Sequence, residues 1–375
     1  MSKTGSVTLL LAGDVMTGRG IDQVLQHPSA PQLYESYVHD ARDYVRLAEL
    51  ENGPIPAPVA ADYIWGEALA EMVHPDVDLR IVNLETAITT SGEPWPGKGI
   101  HYRMHPANAG CLSAARIDCC ALANNHVLDW GRRGLDDTLQ AVWHAGALTA
   151  GAGADDGAAR SPAELRLKGK SRVLVFAFCT ASSGVPPSWS AGPRRSGVAL
   201  LPDLSEATAR AIAEGVARRR GAADRVIVSI HWGENWGLEL PPAHREFAHR
   251  LIDLGAADAV HGHSSHHPLA VEVYGGKLIL YGCGDLINDY EGIGPQGSLR
   301  DDVACLYIAT LSLADGRLQQ LDIVPLQRKR FRLVAADASA LAWLERVFSV
   351  DGYTLAPAIT PRSLASWSLL WPARR

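Results

Sequence analysis

The chain is short of the features that would place it in several broad classes. It has six cysteines, Cys111, Cys119, Cys120, Cys179, Cys283 and Cys305, and none forms a CxxC pair. A thiolate zinc site and a disulfide framework are therefore not expected. No apolar run reaches the roughly 18 residues that read as a membrane span. The first apolar stretch, Val7 to Ala12, is too short for a secretory signal and has no cleavage region, so a cytoplasmic protein without a membrane partner is expected. Basic charge is not in excess: 35 Lys and Arg against 41 Asp and Glu give a net charge of -6, which gives no reason to expect nucleic acid as a partner. No internal repeat is visible. What remains is ordinary for a globular chain, with 47% hydrophobic and 20% charged residues over 375 positions. That length can bury a large core.

Histidine is where the sequence departs from the ordinary. Four of the 14 histidines fall in one stretch, His261-Gly262-His263-Ser264-Ser265-His266-His267. The apolar run Ala256 to Val260, interrupted by Asp258, leads into it. Histidines packed this closely at a strand end bind a metal, move protons, or do both. Gly262 is expected to let the backbone bend just past that run.

Short apolar runs recur along the chain. Strands are expected at Val7–Ala12, Leu79–Leu84, Cys119–Ala123, Val173–Phe178, Val226–Ile230, Ala256–Val260, Lys277–Tyr281, Val303–Leu311 and Leu321–Val324. Helical periodicity marks Gly134–Ala145, Asp203–Arg220 and Pro242–Leu254. The alternation implies an α/β sandwich, with an antiparallel part where the last strands lack intervening helices. Two proline-containing regions, Gln26–Pro58 and Ser182–Pro202, read as loop insertions beside a site. One catalytic domain over 1–330 and a C-terminal extension over 331–375 are expected.

Polar, metal-competent residues collect just past these strands. The first run ends Gly13-Asp14-Val15-Met16 and the second Asn83-Leu84-Glu85. The third ends Asn124-Asn125-His126, with Asp129 beyond. Another ends His231-Trp232-Gly233, one ends in the histidine cluster, and one leads to Gly282-Cys283-Gly284-Asp285, with Asn288 and Asp289 after it. Any one of these has an ordinary explanation: Asp14 as a helix cap, Asn125 in a turn, His126 as a satisfied core histidine. Together they point to one convergent site, because ligands of open α/β sheets gather at the carboxyl ends of strands.

The order of these motifs resembles the calcineurin-like metallophosphoesterase superfamily, and within it the branch named for CapA, the poly-γ-glutamate capsule protein. The resemblance covers about residues 7 to 310. It implies a sandwich of two central β-sheets flanked by helices. It also implies metal ligands at Asp14, Glu85, Asn125, His231, His263 and His266, with His126 as the catalytic histidine. His261 and His267 lie outside the GHxxH spacing and are weaker candidates.

Two departures matter. Glu85 stands where the wider superfamily has a bridging Asp, as expected for this branch. Met16 stands where the first motif would carry a histidine ligand, and a thioether is a poor ligand for a hard divalent ion. One of two metal positions is therefore expected to be weakened, and with it the clamp that two-metal hydrolysis requires.

From the resemblance and that altered motif follows the expectation of a metal-dependent peptide epimerase, of the kind found in lasso-peptide biosynthesis within this branch. His126, Asp14, His231, Asp129, His266 and Asp285 would be its acid–base groups. Trp189, Trp232 and Trp236 would line the pocket for a peptide substrate. Two alternatives stand beside it: a metal-dependent phosphoesterase or amide hydrolase, and a poly-γ-glutamate biosynthesis protein. The metal is expected to be Ca²⁺, Mn²⁺ or Mg²⁺ if oxygens hold it, and Zn²⁺ or Fe²⁺ become open if the histidines bind directly. No organic cofactor is expected.

Overall fold

The computed structural model describes residues 5–167, 169, 171–293, 299–360 and 362–372. Two large sheets form its centre. Their strands, in chain order, are β1 (Ser6–Val15), β2 (Leu79–Leu84), β3 (Cys119–Ala121), β4 (Leu148–Ala150), β5 (Ala163–Arg166), β6 (Arg172–Cys179), β7 (Arg225–His231), β8 (Ala259–His263), β9 (Val271–Tyr274), β10 (Lys277–Leu280), β11 (Asp285–Ile287), β12 (Val303–Ser312), β13 (Leu318–Arg328), β14 (Thr354–Pro357) and β15 (Trp367–Leu370). The helices that matter here are α1 (Arg19–Val24), α2 (Arg42–Asn52), α3 (Gly131–His144), α4 (Glu206–Ala217), α5 (Pro242–Asp253) and α6 (Ala338–Phe348).

The first sheet runs in the order β14-β15-β13-β12-β1-β2-β3-β4, with β11 paired to the end of β1. The second runs β9-β10-β8-β7-β6-β5. In the first sheet β1-β2-β3-β4 are parallel and run to one edge, with antiparallel strands beginning at β12 on the other side of β1; in the second, β6-β7-β8-β10 are parallel between antiparallel edge strands. This is the α/β sandwich of two central sheets that the resemblance implied. Apolar runs such as Val7–Ala12 and Val226–Ile230 are almost wholly buried, as strands covered on both faces must be. The expected antiparallel part is the long pairing of β12 with β13. Residues beyond 331 add to the first sheet: β15 pairs with β13 at Asp322 and Ser368, and α6 starts on an Asp337 side-chain cap.

Three expectations need correction. The region Gln26–Pro58 is not a plain loop, because Arg42–Asn52 forms α2. Its Tyr44 and Ala48, four residues apart, are both buried, and Gly53 at φ 85 ends the helix by bonding back to the Glu49 carbonyl. The strand expected at Ala256–Val260 instead begins at Ala259 and runs through His263. Two of the clustered histidines therefore lie inside a strand, side by side on one face. Gly262 is not a hinge. A Cβ there would lie 2.4 Å from the Tyr281 carbonyl oxygen, so glycine is required by close approach of neighbouring backbone.

Candidate metal centre

Strand ends from both sheets meet at one place. The register of β1 with β2 slips by one residue at Gly13, so Asp14 stands opposite Asn83. On its other side Asp14 is paired in register with Asp285 of β11. Across the sandwich, β7 and β8 pair His231 with His263. His261 crosses the gap between the sheets: its Nε2 lies 2.9 Å from the Ala12 carbonyl oxygen. Fold and site are thus built from the same strand registers.

Asp14 is fully buried at the centre. Its Oδ1 accepts from the Asn83 amide at 2.7 Å, and its Oδ2 from the backbone N–H of Ser264 at 3.2 Å. Ser264 holds φ 107, an unusual angle for a residue with a side chain, so the turn after β8 is strained to aim that N–H. The Asn83 amide also reaches Glu85 Oε2 at 3.3 Å, and Asn124 fixes Asn83 by donating to its Oδ1 at 3.0 Å.

The ligand atoms converge on Asp14 in two groups. Asp14, His231 and His263 present one potential ligand atom each, all within 4.8 Å of one another. Asp14, His266 and Asp285 do the same. His231 Nδ1 and His263 Nδ1 face each other at 2.8 Å. His266 Nδ1 lies 3.0 Å from Asp285 Oδ1, and Asn288 donates to the other oxygen of Asp285 at 2.6 Å. Glu85 lies beside the first group, its Oε1 3.8 Å from His231 Nε2 and 3.7 Å from His126 Nε2. Asn125 Oδ1 is 3.1 Å from His231 Nε2.

The electrostatics fit a cation. Burial pushes the carboxyls of Asp14 and Glu85 upward; Asp285 raises Asp14 further, and Asp14 raises Glu85. Among the described residues, no lysine or arginine bonds to either carboxylate. Burial holds His231 and His263 well below the ordinary imidazole range. Burial works against a charged His266 too, but the Asp285 carboxylate overcomes it and raises this histidine. Two neutral imidazoles facing nitrogen to nitrogen, beside buried acids that no lysine or arginine among the described residues bonds, form a donor set suited to divalent metal ions. Asp14, Glu85, Asn125, His231, His263, His266 and Asp285 are the side chains that could hold them.

The arrangement around Met16 bears on the weakened metal position expected there. Met16 is buried, and its backbone N–H bonds to Ile287 at 2.8 Å. That bond continues the pairing of β1 with β11, which places Asp285 beside Asp14. A carboxylate from a distant part of the chain therefore joins Asp14 and His266 in the second group of potential ligands. Asp285 was expected only as an acid–base group.

His126 and Asp129 lie beside the ligand groups. His126 Nδ1 is 2.7 Å from Asp129 Oδ2, and burial pushes the imidazole down to about 4. Sequence reasoning missed Lys98, whose Nζ lies 2.5 Å from Asp129 Oδ1 and 3.0 Å from His126 Nδ1. It lies between Gly97 and Gly99 in an irregular segment, with no periodic signal to flag it. Also missed were Tyr102, edge-on to His126 at 4.7 Å, and Tyr290, edge-on to His266 at 5.2 Å.

The remaining clustered histidines do structural work. His261 is bonded to Ser229 and Ala12, and His267 Nε2 accepts the Gly237 N–H at 3.1 Å. Of the three tryptophans expected to line a pocket, Trp236 lies against a histidine of the ligand groups, its ring 5.1 Å from that of His266. Trp232 is buried away from it, stacked on His244 at 4.5 Å with its indole N–H on the Tyr281 carbonyl. Trp189 is fully buried against Trp95. Both have the apolar bulk of core residues, and the core takes them.

Comparison with known proteins gives the following. Residues 8–290 match the model of the family described as bacterial capsule synthesis protein PGA_cap. A probable polyglutamine synthesis accessory protein of Mycobacterium tuberculosis (strain ATCC 25618 / H37Rv) is 49% identical over 342 residues, covering 90% of this chain and 89% of the relative. The capsule biosynthesis protein CapA of Bacillus anthracis is 24% identical over 320 residues, covering 85% of this chain and 67% of the relative. Among solved structures, a Mycoplasma pneumoniae phosphatase aligns with 90% of this chain and 96% of its own at 13% identity and a TM-score of 0.45.

These relatives overturn the expectation of a peptide epimerase. Similarity at 49% identity over nine-tenths of the chain runs to a polymer-synthesis accessory protein. Met16, the residue that favoured isomerisation, lies beside a second group of potential ligands, Asp14, His266 and Asp285. No helix among the described residues is long and apolar enough to cross a membrane.

Proposed function

The chain belongs to the bacterial capsule synthesis (PGA_cap) family, and from that premise we propose that it is a metal-dependent accessory hydrolase in the synthesis of a glutamate or glutamine polymer. Its substrate class on this reading is an amide-linked polymer of such residues. Its partner is the protein that builds that polymer. The observation that carries the proposal is Asp14, common to two ligand groups, with a carboxylate-held histidine at their edge.

Asp14, His231 and His263 would hold one divalent ion, and Asp14, His266 and Asp285 a second, with Glu85 and Asn125 beside His231 of the first. Such ions supply Lewis acidity and neutralise charge that develops on the scissile group. The chain's own residues do the rest. Asn83 and the Ser264 N–H orient Asp14. Asn288 fixes Asp285 on the face turned away from His266. His126, neutral near pH 7, accepts a proton at Nε2 and passes it on between the site and the substrate. Its Asp129 partner sets the ring's orientation. Three imidazoles in the donor set favour Mn²⁺, Zn²⁺ or Fe²⁺ over Ca²⁺.

The test is direct. Purified protein is stripped with chelator, reloaded with each of these ions in turn, and given poly-γ-glutamate, a polyglutamine peptide and p-nitrophenyl phosphate. Shortening of either polymer, abolished by chelator and by Asp14→Asn, is the expected result. Phosphate release with both polymers intact would make it a phosphoesterase instead. Inertness of the metal-loaded protein toward all three would overturn the hydrolase reading.

A further inference from the structure

Asp129 is the anchor of an entire loop. Its backbone carbonyl accepts the Trp95 N–H at 2.7 Å, its Oδ1 accepts from Lys98 Nζ at 2.5 Å, and its Oδ2 accepts the Tyr102 N–H at 2.7 Å. The segment from 95 to 102 is thus strapped over the His126 end of the centre, with Lys98 at its middle. Lys98 has only 15% of its side chain exposed. Its ammonium has three acceptors in reach: Asp129 Oδ1, the Ile100 carbonyl at 3.1 Å, and His126 Nδ1 at 3.0 Å.

His126 Nδ1 therefore has two polar neighbours that make opposite demands. A bond from Lys98 would require a bare Nδ1 and would put the ring proton on Nε2. A bond to Asp129 Oδ2 requires the proton on Nδ1 and leaves Nε2 bare. The distances decide between them, 2.7 Å to Asp129 against 3.0 Å to Lys98. At 2.7 Å a bare Nδ1 would press its lone pair against a carboxylate oxygen, which the buried interior does not tolerate. Lys98 is satisfied without His126, since Asp129 and Ile100 both accept from it.

We propose that Lys98 is a positioning residue for His126: through Asp129 it keeps the ring proton on Nδ1 and leaves Nε2 as a bare acceptor facing the metal centre. Nε2 lies 3.7 Å from Glu85 Oε1, so the bare nitrogen is the one turned toward the chemistry. The inference rests on His126 as the proton-carrying group of the proposed hydrolase and gives it a direction. His126 enters the reaction as a base and becomes an acid only after accepting a proton at Nε2. Without the ammonium, Asp129 is a buried carboxylate facing only neutral groups. It then takes a proton from solvent, donates it to Nδ1, and the ring proton moves to Nε2.

The experiment reads the tautomer itself and needs no substrate. The full chain is labelled with ¹⁵N-histidine and loaded with diamagnetic Zn²⁺, and the His126 ring signals are identified by their loss in His126→Gln. The wild-type protein should show a protonated Nδ1 and a bare Nε2. Lys98→Met should move the proton to Nε2 at unchanged metal content, while Lys98→Arg, which keeps the charge, should hold the wild-type form. A wild-type spectrum with Nε2 protonated would overturn the proposal even if Lys98→Met fails to fold, and so would an unchanged spectrum in a folded Lys98→Met. If a substrate is cleaved, Lys98→Met should lower kcat by about 10²- to 10⁴-fold, the usual worth of a positioned acid–base group, with KM nearly unchanged. Absence of cleavage in the wild type would sink the hydrolase reading and leave the tautomer result standing.

Discussion

Asp14 and Asp285 are register partners across the parallel pairing of β1 with the three-residue strand β11. That pairing brings two carboxylates 271 residues apart in the chain to one buried point, where His266 joins them. Replacing Asp285 with Asn keeps the shape and removes the charge. The variant is expected to lose one bound ion and to retain the one held by Asp14, His231 and His263. Metal-to-protein ratios after reloading would show this. An unchanged ratio would mean that Asp285 is not a ligand.

The four clustered histidines should separate cleanly. His263→Ala should remove metal from the Asp14–His231 group. His267→Ala should leave the metal content alone and cost about 0.5–1.5 kcal/mol of stability, because the part-buried Gly237 N–H loses its acceptor. Metal analysis and urea unfolding of the two variants, run side by side, would test the division. Equal metal loss in both would contradict it.

Gly13 is the point of closest approach beneath the site. A Cβ there would fall 1.7 Å from the Gly284 carbonyl oxygen, which belongs to the turn that leads into Asp285. Gly13→Ala must push β11 away from β1. Loss of more than about 2 kcal/mol of stability is expected, as for other strained backbone substitutions, together with weaker metal binding. A soluble variant with normal stability and metal content would show that the turn yields without moving Asp285.

Stability should fall in mild acid because of His244. Burial alone, against the face of Trp232, pushes this imidazole down to about 4 from an ordinary 6.5. The folded chain then keeps it neutral while the unfolded chain takes up a proton. Its contribution is present in full above pH 6.5 and is lost as the pH falls from there toward 4. At about 1.4 kcal/mol per unit, the full loss is on the order of 3 kcal/mol. Urea midpoints measured from pH 7.5 to 4.5 should drop less steeply for His244→Phe than for wild type. Parallel curves would remove His244 as a source of acid sensitivity.

Much of the site was readable along the chain. Asp14, Glu85, Asn125, His126, His231, His263 and His266 each follow or end an apolar run, and each lies where two sheets bring strand ends together. A strand end is a local property, set by where the apolar run stops. Two kinds of residue escaped that logic. Lys98 sits in irregular backbone, and its place beside His126 depends on Asp129 binding the loop at three points. Trp189 and Trp232 were placed in a pocket on residue type alone, but a large apolar ring goes to whichever neighbouring volume is driest.

The sequence by itself determined the α/β alternation, the two-sheet sandwich and most of the polar groups at its centre. Hydrophobic period and strand ends are written locally, and the order of the motifs carried the family. Only the tertiary structure decided that the centre has a second ligand group. That depended on the register of β1 against β11, set by the close contact of Gly13 with Gly284. Tertiary packing also decided which histidines face the centre. His261 and His263 share one face of β8, and only their contacts with the opposite sheet separate the one that holds the strands together from the one that joins Asp14.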